Sequence, residues 1–124
     1  MAQRACKKQT SHPGQRPCDA LIKGFGHTTV LTHPLIRGEI SCGTPPDRTR
    51  TLADLAELRH ASLATVPETI DFIERQKLYG KGVGFIDFQL LASTVLTAGA
   101  LLWTADKKLC ALARHFNVEH DIAE

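Results

Sequence analysis

The run Ala100-Leu101-Leu102-Trp103-Thr104 is uninterrupted by charge and gives way to a polar turn at Asp106. A continuous apolar stretch of that length suits a strand buried on both faces, as the strands of parallel sheets are. Such a strand needs cover above and below, so helices should alternate with strands along the chain. The sequence from residue 28 supplies that alternation. Val30-Leu31-Thr32 reads as a short strand, and Pro34 suits the first turn of a helix running to Gly43. After Pro45-Pro46, Asp47 can cap a helix whose Leu52, Leu55, Ala56 and Leu63 follow three-and-four spacing. Ser62 to Val66 reads as a brief strand; Pro67 then opens a helix with Ile70 and Ile73 on its inner face, ending before the loop Gly80-Lys81-Gly82-Val83-Gly84. Ile86 to Thr97 is apolar almost all round, which predicts a central buried helix. Leu109, Leu112, Ala113 and Phe116 mark a last helix, with an edge strand at Asn117 to Glu119. The expected class is α/β.

At 124 residues there is room for one domain. Residues 28–124 carry it, whereas 1–27 form a basic, breaker-rich segment without apolar period, expected to be poorly ordered. A solvated tail and an arm touching nucleic-acid phosphates are both open readings of it. The formal charge of +2 is too small for binding nucleic acid by bulk charge, so such a partner must be held locally. Aromatics at 6% disfavour a single-strand binder built on rows of stacking rings. Cys6, Cys18, Cys42 and Cys110 form no CxxC pair and follow no apolar leader, so a reducing cytoplasm is the expected setting. The uncharged run Leu90 to Trp103 is too short for a bilayer span, and no membrane association is expected.

Three acids stand out. Glu39 falls on the same helix face as Leu35, Ile36 and Ile40, where a buried carboxylate would need a cationic partner, a raised pKa or a bound cation. Asp87 stands in the first turn of the central helix, as an N-cap or as a site residue favoured there by the helix dipole. Asp106 follows the buried strand at its carboxyl end, where open α/β sheets place ligand sites; a cap for the last helix is the alternative. Acids from separate elements can hold a hard cation such as Mg²⁺, which takes one or two carboxylates plus water and phosphate oxygens.

Weaker signals surround them. The glycine loop follows a helix and lacks the full Walker pattern, so it reads as a connector in which Lys81 could touch a substrate phosphate. His12, His27 and His33 with Cys6 and Cys18 miss the paired spacing of a structural zinc site. Cys42 and Cys110 read as small core residues, because no local motif supplies a base.

Three segments, Leu31-Thr32-His33-Pro34-Leu35-Ile36-Arg37-Gly38-Glu39-Ile40, Tyr79-Gly80-Lys81-Gly82-Val83-Gly84-Phe85-Ile86-Asp87 and Leu102-Trp103-Thr104-Ala105-Asp106-Lys107-Lys108-Leu109, resemble the PIN-domain ribonucleases of the VapC toxin family in order and separation. The resemblance spans roughly residues 28 to 120. It implies a three-layer α/β/α sandwich around a mostly parallel sheet. It further implies an endoribonuclease using Mg²⁺ or Mn²⁺, with Glu39, Asp87 and Asp106 as catalytic and metal-holding acids, Thr104 beside the last acid, and Lys81 on the substrate side. RNA, tRNA included, would be the substrate; a VapB-like antitoxin and a second copy of the chain would be the partners. One departure stands against this. Family members begin with an apolar strand ending in Asp followed by Thr or Ser, and Met1 to Cys18 holds neither such a strand nor an acid; Asp19 has no matching context. The first strand is therefore expected to be missing or replaced, as a frameshift or misassigned gene start would leave it. A catalytically degenerate module that binds antitoxin or RNA without cleaving is the alternative.

Overall fold

The computed structural model describes residues 20–24 and 30–120. Among them are three strands, β1 (Ala20–Lys23), β2 (Val30–Leu31) and β3 (Leu101–Thr104), and five helices, α1 (Pro34–Ser41), α2 (Arg48–Ala56), α3 (Val66–Arg75), α4 (Phe85–Leu96) and α5 (Lys107–His115). The class is α/β, as expected, but the strict alternation is not observed, since four helices follow one another between β2 and β3.

The sheet order is β2-β1-β3, and β1 runs antiparallel to both neighbours, with Ile22 opposite Leu31 on one side and Leu102 on the other. This corrects the expectation of a mostly parallel sheet. The reason lies in chain length: six residues separate Lys23 from Val30, and a parallel partner needs a crossover of roughly a dozen or more. β2 and β3 nonetheless share a direction, and the outermost pairings, Thr32 with His60 and Leu102 with Glu119, are parallel bridges. β1 comes from within the segment 1–27; apart from Gly24, the remainder of that segment lies outside the described residues.

Several helix ends have a local cause. Pro34 fills the first turn of α1, and Arg48 at the start of α2 donates to the carbonyls of Ser41 (2.6 Å) and Gly43 (3.2 Å), satisfying acceptors that the end of α1 leaves open. Thr65 and Glu68 form a capping box on α3. Asp47 precedes α2 but, contrary to expectation, makes no side-chain cap; its φ is +48°. α2 also stops well short of Leu63. Its exit is set by pairing, because Arg59 O and Ala61 N are taken by the backbone of Thr32.

Ser62 to Val66 is likewise not a strand. Its backbone donors go to side chains: Ala64 N to Ser93 Oγ of α4, Ser62 N to Thr97 Oγ1 just past α4, and Thr65 N to Glu68 Oε1 of α3. On α3 the inward positions are Thr69, Phe72 and Ile73, and Ile70 is 54% exposed, which corrects its assignment to the inner face. The expected edge strand at Asn117 to Glu119 shrinks to the single Glu119 bridge, since Asn117 sits at φ +60°.

The core joins Ile22, Leu31, Ile36, Leu91, Leu102 and Leu109. Leu102, Trp103 and Thr104 in β3 are all buried, so this strand is covered on both faces. α4 packs on β3 and against α3 and α5. Its middle, Leu90 to Thr94, is buried, while Phe85, Ile86, Val95 and Leu96 at its ends are exposed.

Candidate active site

The topology brings three acid-bearing elements to one edge of the sheet. β2 and β3 share a direction, so their carboxyl ends lie together. α1 follows β2 there, α5 follows β3 there, and α4, which turns into β3 through residues 97–100, runs back against it and starts at that edge. A contact supports the last placement. A Cβ built on Gly82 would lie 2.7 Å from Lys108 Nζ, so the loop before α4 presses on the first turn of α5. The φ of +76° is what asks for glycine at position 82, since the tip of Lys108 could swing aside.

Asp106 is the N-cap of α5. Its Oδ1 accepts from the backbone N–H of Lys108 (2.8 Å) and Leu109 (3.0 Å), and its own N–H donates to Thr104 Oγ1 at 3.1 Å. Thr104 is 1% exposed, so the turn is fixed from beneath by a buried hydroxyl. The capping bonds use Oδ1 alone and leave Oδ2 outside them. Asp87 is the third residue of α4, half-buried, and Gly84 rather than Asp87 occupies the N-cap position.

Glu39 differs from expectation, because its position on α1 is exposed. Only Ile36 on this helix is fully buried, with Leu35 and Ile40 partly so, and the stripe is too narrow to enclose the next turn. The case for a site residue therefore no longer rests on a buried charge. Lys81 is exposed in the glycine loop. Cys42 is exposed at the end of α1, correcting its core reading, whereas Cys110 is buried in α5. Of the residues weighed for zinc, only His33 lies within the described residues, and both its ring nitrogens serve hydrogen bonds.

His33 is the position whose role the sequence pattern hid. It is 4% exposed and caps α1, its Nδ1 accepting from Leu35 N–H at 3.1 Å. That leaves the ring proton on Nε2, which donates to Ser93 Oγ at 3.0 Å. The start of the Glu39 helix is thereby fastened to the Asp87 helix. A His-Pro pair at a helix start is the only signal that could have found it.

Burial, reinforced by the neighbouring charge of His60, lowers the His33 pKa from its ordinary 6.5. The unfolded chain takes up a proton first as pH falls, so this contribution to stability is full above about pH 6.5 and declines below it until the folded pKa is crossed. Thermal midpoints should fall from pH 7 toward pH 5, and His33→Asn, which keeps a capping side chain, should flatten that slope. An unchanged slope in the variant would assign the effect elsewhere.

No group of three or more His, Cys, Asp or Glu side chains suited to a metal ion occurs among the described residues. The donors fit a hard cation in kind, since carboxylates are the ligands Mg²⁺ takes, one or two at a time with water. No described helix is long and apolar enough to cross a membrane.

No protein-family model matches the chain, and no solved structure matches it. Two curated relatives do, both Ribonuclease VapC32 of Mycobacterium tuberculosis, from strains CDC 1551 / Oshkosh and ATCC 25618 / H37Rv. Each is 37% identical over 97 residues, which cover 77% of this chain and 78% of the relative. With most of both sequences aligned at that identity, the chain belongs to the VapC family of PIN-domain ribonucleases.

Proposed function

We propose that the chain is a divalent-metal-dependent endoribonuclease, the toxin half of a VapBC-like pair, which hydrolyses RNA phosphodiesters at the edge carrying Asp87 and Asp106, with Glu39 contributing from α1. The observation that carries this reading is the 37% identity to ribonucleases over 77% of the chain. Asp87, Asp106 and Glu39 are the carboxylates offered to a Mg²⁺ or Mn²⁺ ion, which takes one or two of them with water, since no three described acids are grouped around one point. Such an ion supplies a positioned phosphate, a more acidic attacking water and charge stabilisation on the leaving oxygen. Thr104 keeps Asp106 in place, and Lys81 in the glycine loop offers its ammonium to a substrate phosphate.

The cognate partner in this reading is a VapB-like antitoxin, and a second copy of the chain completes a homodimer. Exposed Val66, Ile70, Val95 and Leu96 on the packed pair α3 and α4 supply apolar surface of the kind such a contact covers. The cytoplasm is the expected setting, with tRNA among the available substrates.

A mixed pool of tRNA and single-stranded RNA, incubated with the protein in Mg²⁺ or Mn²⁺, should be cut, and EDTA should stop the cutting. A folded sample that cuts nothing under these conditions would overturn the reading.

A second reading, a degenerate module that binds antitoxin or RNA without cleaving, is favoured by the absence of a three-ligand group among the described residues and by the reversed β1 at the centre of the sheet. Mn²⁺ separates the two. A rise in the thermal midpoint supports the enzyme, since a ligand held only by the folded state stabilises it; an unchanged midpoint supports the module.

A further inference from the structure

Beside the acid-bearing edge lies a groove of about 480 Å³, walled by the end of α3, the glycine loop and one face of α5. Its charged lining is cationic: Lys77, Lys81 and Lys108 line it beside the polar Gln76 and His115, and no Asp or Glu does, while Leu78 and Leu112 give it an apolar floor. None of the three lysines takes part in an ion pair among the described residues, where Arg50, Arg75 and Arg114 are paired with Asp54, Asp71 and Glu119. Three uncompensated lysines gathered in one groove are conspicuous in a chain whose formal charge is only +2.

We infer that this groove is a track for RNA phosphates lying outside the position of cleavage, an inference that rests on the ribonuclease reading and extends it. Three features favour an extended polyanion over a small one. Lys108 stands two residues past Asp106, so the groove begins at the site edge and leads away from it. Lys108 and His115 lie about 10 Å apart along α5, so the groove runs along the helix instead of closing around one point. The groove also draws on two segments that touch, for the Lys108 side chain of α5 lies across Gly82 of the glycine loop. The apolar floor leaves room for the sugar or base face of a strand whose phosphates meet the lysines. Phosphate contacts of this kind position a strand without reading its sequence.

The test uses the full chain and a fluorescein-labelled single-stranded oligouridylate in EDTA, so that binding is read without cleavage. Lys77→Gln combined with Lys108→Gln should weaken binding about ten-fold and make the slope of log affinity against log salt shallower by about 1.4, for two lost contacts on a single strand. Lys107→Gln is the control. It removes a charge from the same turn of α5 but lies outside the groove, and it should change affinity less than about two-fold. Melting curves establish that each variant folds. In the cleavage assay the double variant should raise KM for long RNA and leave a dinucleotide, too short to enter the groove, unaffected.

The inference is overturned if the double variant binds like the parent, if Lys107→Gln costs as much per charge, or if inorganic phosphate alone displaces the oligouridylate as effectively as unlabelled oligouridylate does, which would mark a pocket for one phosphate. The two readings fail separately. Groove-dependent binding without any metal-dependent cutting would remove the ribonuclease and keep the track, whereas cutting with groove-independent KM would do the reverse.

Discussion

Asparagine at position 106 should leave the fold standing and cut RNA cleavage, read as kcat/KM, by about a hundred-fold or more. Two roles meet in Asp106, and this substitution separates them. As the cap of α5 its Oδ1 accepts from Lys108 N and Leu109 N; an amide oxygen can accept the same two bonds, and Asn ranks with Asp as an N-cap. Only the negative charge is lost, and its interaction with the helix dipole is worth about 0.3–1 kcal/mol. If capping were its whole function, melting and activity would both stay near the parent values. If the carboxylate serves the chemistry, melting stays and activity falls. Asp106→Ala gives the complementary result, losing about 1 kcal/mol of stability with the cap as well as the activity. Asp87→Asn should show a comparable loss of cleavage. Parent-like kcat/KM in both Asn variants would remove these acids from the reaction.

Ser93→Ala should cost about 3 kcal/mol, far more than the loss of one oxygen atom suggests. Ser93 is fully buried, and its Oγ meets two donors from other parts of the chain, His33 Nε2–H and Ala64 N–H, both at 3.0 Å. Alanine strands both in a dry interior, at about 1–3 kcal/mol for each unsatisfied group. For a domain of this size the midpoint should drop by roughly 10 °C. The loss has a functional side, because the His33–Ser93 bond fastens the start of α1 to α4 and so couples the helices carrying Glu39 and Asp87. Urea or thermal melts provide the measurement, and a cost under about 1 kcal/mol would mean that the His33 and Ala64 donors find other acceptors.

What could be read from the sequence follows the range of the forces involved. Pro34 as a helix opener, the apolar strand at 101–104, the central helix and the cap at Asp106 are set by residues within a turn of one another, and all are observed. The segment Ser62 to Val66 has the composition of a strand, but its donors are claimed by Ser93 and Thr97 far along the chain, which no local pattern reports. β1 escaped notice for a related reason: Ala-Leu-Ile-Lys is too short to show a period, and its place is fixed by partners on both sides. At the site, the positions of Asp87 and Asp106 follow from the local pattern, since each belongs to the start of a helix. The exposure of Glu39 does not, because periodicity gives the face a residue lies on and not how far the neighbouring layer reaches over it. The cationic groove escaped for a similar reason, since its lysines come from three separate segments.

The reversed middle strand also sets an order of events for folding. Ile22 meets Leu31 across a short connection, so β1 and β2 can come together early as a local hairpin. Ile22 meets Leu102 only after nearly all the intervening chain, four helices included, has been gathered. Such distant pairing is slow, because the entropy of closing the long loop is lost before the contacts form. Until β3 arrives, the far edge of β1 stands open with its backbone groups unpaired, and that edge is where a nascent chain of this protein is most apt to pair with a second one.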